Sequence, residues 1–181
     1  IDVRRGVAYV LVGLAGGRQE LRRGATKLLK QALVSGRAEI ARRLEERPYA
    51  GTEIAAAYAF LADEILRLAY DFTITRLCPP GNSAFVRLVL MAVGGYGRGE
   101  MALHSDVDIV FVSPGKRSDR TEQAIESVLY LLWDLGLKVG HASRTVDDMI
   151  RAAASDHTIR TAILESRYLW GDQELFDETY A

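Results

Sequence analysis

At 181 residues, with 49% hydrophobic and 26% charged residues, the chain is not broadly disordered. It can form one ordinary domain, or a small domain with a helical appendage. A formal net charge of −1 excludes a globally basic nucleic-acid binder, and the single cysteine, Cys78, excludes an intrachain disulfide or a cysteine-clustered zinc site.

The charge is unevenly placed. Residues 1–50 carry eleven Lys/Arg against five Asp/Glu, whereas residues 51–181 carry twelve against nineteen. A basic stretch of this kind is a solvated helix face or a docking surface for an acidic partner or neighbouring domain. No run approaches the roughly 18–20 apolar residues of a membrane span. Tyr9–Leu14 is apolar, but Gly13, Gly16 and Gly17 interrupt it and no signal-peptide pattern develops around it. A cytoplasmic protein with no membrane partner is expected. The chain begins at Ile1 and stops within a helical-looking run, Leu175–Tyr180, as a fragment of a longer protein would.

Residues 1–17 show no clear period and are expected to be an irregular N-terminal segment. Residues 18–80 are expected to be helical. Leu21, Ala25, Leu28, Leu29, Ala32, Gly36, Ile40 and Leu44 recur at helical spacing over Arg18–Arg47, with basic residues mainly on the other face, and Pro48 ends the run. Thr52 is a candidate cap for a second helix, with Glu53 in its first turn. Ile54, Tyr58, Leu61, Ile65, Leu68 and Phe72 continue that helix until Pro79-Pro80-Gly81. The simplest reading is an antiparallel helical pair.

Residues 81 to 181 are expected to form the core, an α/β or α+β domain with a small sheet. Val86–Val93 reads as a buried strand, Gly94 to Ser105 as a loop, and Val107–Val112 as a second strand stopped by Ser113-Pro114-Gly115. A helix starting at Asp119 or Thr121 carries Ile125, Val128, Leu129, Leu132 and Leu135 and ends at Gly136. Leu137–Ala142 reads as a short third strand. Thr145 with Asp148 forms an acidic capping box, and a further helix from Ser155 or Asp156 is expected to run to Tyr168 and end at Gly171. The expected architecture is a small mixed β-sheet with the N-terminal helical pair and C-terminal helices packed on it.

Chemistry concentrates between residues 93 and 110. Side chains alternate along a strand, so Asp106 and Asp108 project from one face about 7 Å apart along the backbone. Carboxylates so placed can converge on divalent ions about 3.5–4 Å apart, the arrangement used for nucleotidyl transfer. Magnesium (Mg2+) suits such a site because it takes few carboxylates and keeps positions for water and substrate phosphates. Gly94 and Gly95 let the backbone approach a ligand and present amides to phosphate oxygens. Arg98 adds a positive charge in the same loop, and Ser105 a hydroxyl just before the aspartates. Neither the glycine pair nor Asp-x-Asp is diagnostic alone, since tight turns and solvated strand edges carry both.

Together, strand, Gly-Gly, ten residues and Asp-x-Asp inside an apolar strand resemble the polymerase-β-like nucleotidyltransferase superfamily. GGYGRGE (94–100), HSDVDI (104–109), LYLLWDLGLKVGHASRT (129–145) and TAILESRYLWGDQELF (161–176) resemble the N-terminal catalytic domain of the bacterial protein-PII uridylyltransferase/uridylyl-removing enzymes. The likeness covers everything from about residue 20 onward. It implies transfer of UMP from UTP to a tyrosine of the PII regulatory protein, with release of pyrophosphate. It further implies Asp106 and Asp108 as catalytic metal ligands, and an HD domain and two ACT domains elsewhere in the full-length enzyme. Removal of UMP relies in that family on a histidine–aspartate cluster, and this chain holds only His104, His141 and His157 and no His-Asp dipeptide.

One departure stands out. The superfamily usually adds a third carboxylate from a later strand, but Leu137–Ala142 contains Lys138, Gly140 and His141 and no acid. His141 is open to a role as ligand or acceptor-side base, or to a structural hydrogen bond near Arg144. Asp147, Asp148 and Glu165 are further candidates, with helix-cap or surface roles as the alternative. Tyr96 stacks on a base or packs. Two rival functions keep the fold: adenylyl or other nucleotide transfer, and a catalytically inactive nucleotide-binding regulatory domain.

Overall fold

The computed structural model describes residues 3–79 and 87–180. The expected Pro80-Gly81 close of the helical region and the start of the expected first strand at Val86 lie outside the described residues.

The order of elements is α1 (Val3–Val12), α2 (Arg18–Glu46), α3 (Gly51–Phe72), a π-helical turn (Thr73–Leu77), β1 (Val89–Ala92), α4 (Gly94–Gly97), β2 (Val107–Ser113), α5 (Asp119–Asp134), β3 (Val139–Thr145), α6 (Val146–Ser155), α7 (His157–Leu164), β4 (Arg167–Gly171) and α8 (Gln173–Glu178). The fold is α+β, with one four-stranded mixed sheet in the order β3-β2-β1-β4. β1 runs antiparallel to both β2 and β4, while β2 and β3 are parallel.

The helical stripe of α2 buries Leu21, Ala25, Leu29, Leu33, Gly36 and Ile40. Gly36 sets the distance to α3: a Cβ there would lie 2.6 Å from a methyl of Leu61, so the two helices meet where side-chain volume is absent. α3 buries residues almost all round, because it lies between α2 and the sheet. Leu90, Ile109, Phe111 and Leu169 on one sheet face join α2, α3 and α5 in a single apolar cluster. On the opposite face Val89, Met91, Val110 and Val112 pack on Met149 of α6 and Leu175 of α8. Each such fully buried aliphatic side chain contributes about 1.5–3 kcal/mol. The helical region thus shares its main core with the sheet.

Several elements depart from the sequence expectation. Residues 3–12, read as irregular, form α1, which packs on α2 and α3. Thr52 does not cap α3; the helix starts at Gly51 with no side-chain cap, and an Arg47–Glu53 ion pair of 2.9 Å spans the turn. The first four residues of the expected loop 94–105 form one helical turn, α4. β3 lies later than predicted and ends at Thr145, whose hydroxyl then accepts from Asp148 N in the predicted capping box. The predicted helix to Tyr168 stops at Leu164, and β4 follows. The free edge of β1 wins that segment: Val89 pairs with Gly171 and Ala92 with Arg167, with a bulge between Leu90 and Met91.

Candidate active site

β1 and β2 are antiparallel neighbours in the middle of the sheet, so the end of β1 and the start of β2 meet at one end of the strands. Val93 N donates to Asp108 O at 3.1 Å there, tying the glycine turn to the acidic strand. Gly94 has φ +59°, a left-handed conformation that L side chains rarely adopt, and it swings the chain from β1 into α4. The carbonyls of Val93, Gly94, Gly95 and Tyr96 accept from Gly97, Arg98, Glu100 and Gly99 respectively. The amides of Gly94, Gly95 and Tyr96 open the turn and have no intrahelical partner, so they are free to donate to an anion. At Gly95 an added Cβ would meet nothing nearer than Arg98 Nη2 at 3.6 Å. The glycine there keeps an open approach rather than relieving a clash.

Asp106 immediately precedes β2 and Asp108 is its second residue; both are exposed, with buried Val107 pointing the other way. Partial desolvation by the neighbouring strand, and second the charge of Asp106, push the Asp108 carboxyl above the usual aspartate value. The pair is therefore electrostatically uncomfortable by itself, and a cation relieves it. Asp108 pairs across the parallel ladder with Gly140 of β3. A Cβ at Gly140 would lie 2.1 Å from Asp108 Oδ1, so the carboxylate rests in space that any other residue would fill. Among the described residues no group of three His, Cys, Asp or Glu gathers to hold a metal. Two carboxylates with open positions nonetheless fit magnesium, which draws its other ligands from water and phosphates.

Arg98 is anchored by Glu165 at 2.7 Å, with Glu100 at 3.7 Å, so its charge is shared with two acids. Ser105 Oγ accepts from Ala102 N at 3.0 Å and shapes the turn before the aspartates. His141 pairs with Ile109, so alternation puts it on the sheet face opposite Asp108, where its ring meets Trp133 edge-on at 5.8 Å. It is not a ligand beside that carboxylate. Asp148 caps α6 and binds Arg151, which with Thr145 holds its carboxyl down at about 2. Asp147 and His104 are exposed, and His157 opens α7 beside the glycine turn. Tyr96 packs: it is 2% exposed and its hydroxyl donates to Asp63. A shallow cleft of about 440 Å³ runs from Gly94 along α7, lined by His157, Thr158, Thr161, Ala162 and Glu165.

Sequence reasoning missed Gly140, Gly97 and a buried charged network. Gly97 lies against α7, where a Cβ would sit 2.1 Å from the Glu165 carbonyl oxygen. The network joins Asp63 of α3 to Arg167 of β4 and Tyr96. Its one visible signal is Asp63-Glu64 inside the apolar run from Tyr58 to Leu68.

The nucleotidyltransferase domain family matches residues 83–169, the span holding the glycine turn, both aspartates and all four strands but the end of the last. Bifunctional uridylyltransferase/uridylyl-removing enzymes are similar along nearly the whole chain. That of Novosphingobium aromaticivorans is 56% identical over 182 residues, covering 100% of this chain and 20% of the relative. That of Erythrobacter litoralis is 50% identical over 97% of the chain and 19% of the relative, and that of Rhodospirillum rubrum 46% over the same shares. The chain spans about a fifth of the length of these curated relatives. The chain thus carries a nucleotidyltransferase domain and is similar, along nearly its whole length, to about a fifth of the length of the uridylyltransferase/uridylyl-removing enzymes.

Proposed function

We propose that the site moves UMP from UTP to a tyrosine hydroxyl of the PII regulatory protein. The acceptor oxygen bonds to the α-phosphorus, the bond to the bridging oxygen of the β-phosphate breaks, pyrophosphate leaves and the hydroxyl proton passes to solvent. The observation that carries this reading is the meeting of the glycine turn with Asp106 and Asp108 at one end of the central strands, with Gly140 vacating space for the Asp108 carboxylate. The amides of Gly94, Gly95 and Tyr96 donate to phosphate oxygens, and Arg98, held by Glu165, stands in the same turn. Asp106 and Asp108 hold Mg2+, which supplies charge neutralisation on the triphosphate. The names of the relatives support uridylyl transfer. Their greater length leaves room for the HD and ACT domains that the resemblance implies. A cytoplasmic setting without nucleic-acid or membrane partners is part of this reading; no described helix is long and apolar enough to cross a membrane.

One observation favours a second reading, a nucleotide-binding domain without turnover: no third acid joins the pair among the described residues. Transfer is tested by incubating the full chain with PII, Mg2+ and UTP labelled at either the α- or γ-phosphate. α-Label retained on a PII tyrosine, no γ-label, and much weaker labelling from ATP are expected. UTP binding without incorporation of α-label would favour the inactive reading.

A further inference from the structure

Beneath the glycine turn lies a charged network that phosphate chemistry does not itself require. Asp63 sits mid-way along α3 and is only 7% exposed. It accepts from Tyr96 OH at 2.7 Å and from both terminal nitrogens of Arg167, at 2.7 and 3.0 Å. Arg67 stands 3.8 Å away and is itself bound to Glu64 at 2.8 Å and to the Leu169 carbonyl at 3.1 Å. The Arg167 fork also faces the turn: Nε donates to Gly97 O and Nη2 to Tyr96 O, each at 3.3 Å, and the guanidinium lies 5.6 Å from the centre of the Tyr96 ring.

Stability alone is a poor reason for this arrangement. Apolar side chains of similar volume usually stabilise a buried site as well as an ion pair does. What a bidentate guanidinium adds is direction. In a helical turn carbonyls point one way along the axis and amides the other. Fixing the carbonyls of Tyr96 and Gly97 therefore aims the opening amides of Gly94, Gly95 and Tyr96. The contact of Gly97 with the Glu165 carbonyl braces the turn from the α7 side.

We propose that Asp63, Arg167 and the Tyr96 hydroxyl are positioning residues that orient the glycine turn for the triphosphate, through one guanidinium shared by α3, β4 and α4. This rests on the reading of the turn as the phosphate cradle. Arg167→Lys keeps the charge opposite Asp63 but loses the fork, and Tyr96→Phe keeps the ring but loses one bond to Asp63. Tyr70→Phe is the control, because its buried hydroxyl donates to Leu88 O at 2.8 Å near the opposite end of β1.

UTP–Mg2+ dissociation constants, kinetics and thermal midpoints are measured on the full chain. Arg167→Lys is expected to raise the dissociation constant and KM about tenfold with kcat changed less than twofold, the scale typical of residues that orient ligand-binding groups. Tyr96→Phe moves the same parameters less, and Tyr70→Phe lowers only the thermal midpoint. Unchanged nucleotide affinity in folded Tyr96→Phe and Arg167→Lys overturns the proposal and leaves the function intact. If Arg167→Lys fails to fold, Tyr96→Phe decides by the same criterion. Wild-type chain that binds no nucleoside triphosphate overturns both.

Discussion

Replacing Gly140 by alanine tests the site with a single methyl group. Gly140 lies in β3 with no positive φ, so alanine suits its backbone, and removing a glycine from a strand interior favours folding by about 0.5–1 kcal/mol. The cost falls on Asp108. The added Cβ would stand 2.1 Å from Oδ1, whereas ordinary contact starts at 3.4 Å, so the carboxylate oxygen must retreat by at least about 1.3 Å. The Asp108 side chain is exposed and can rotate, so the fold absorbs the change. Metal ligation does not, because ligand distances hold to roughly 0.2 Å. A misplacement of this size costs turnover about 100-fold, equivalent to roughly 2.7 kcal/mol of barrier. The assay pairs uridylyl-transfer rate with the thermal midpoint, and the expected outcome is a midpoint equal to or above wild type with turnover down about two decades. Near-normal turnover in a folded Gly140→Ala variant would refute the placement of Asp108 as a ligand.

Gly97→Ala acts oppositely: its Cβ would meet backbone atoms, Glu165 O at 2.1 Å and Ala92 O at 3.2 Å, and a destabilisation of about 1–3 kcal/mol is expected in urea unfolding. Gly95→Val is expected to leave the fold near wild type but weaken UTP binding severalfold by titration calorimetry, because the space it fills is the approach to the opening amides. Asp172 is bound by Arg87 at 2.6 Å and caps α8 through Leu175 N, which together hold its carboxyl below the usual value of 3.8. A depressed folded pKa gives stability that is present above the unfolded value and lost as pH falls through the folded one. The thermal-midpoint gap between wild type and Asp172→Asn should therefore be full near neutrality and shrink below about pH 3.8.

Local periodicity was enough to reveal α2, α3, α5 and β2, because each carries its apolar pattern within its own residues. The acidic pair and the glycine turn were legible for a related reason: Asp106, Asp108, Gly94 and Gly95 lie within fifteen residues, where spacing alone implies geometry. What failed to show depends on partners distant in sequence. β4 is a strand because β1 offers an edge some eighty residues earlier, and its own pattern of Tyr168, Leu169 and Trp170 suits helix equally. Gly140 looks like an ordinary strand glycine until Asp108 is laid across it. Asp63 and Arg167 are 104 positions apart, and nothing local in either segment announces the other. His141 illustrates the limit most directly, since the sequence could not say which face of the sheet it takes, and pairing with Ile109 settles that.

Calorimetric titration of UTP into the full chain, with and without Mg2+, is best done on wild type and on Asp106→Asn combined with Asp108→Asn. Wild type should bind UTP at least tenfold more tightly with Mg2+ than without. The folded double variant, relieved of like-charge repulsion and at least as heat-stable, should bind equally with and without the ion. A double variant that keeps both the Mg2+ dependence and near-normal turnover would contradict the assignment of Asp106 and Asp108 as the metal-holding acids.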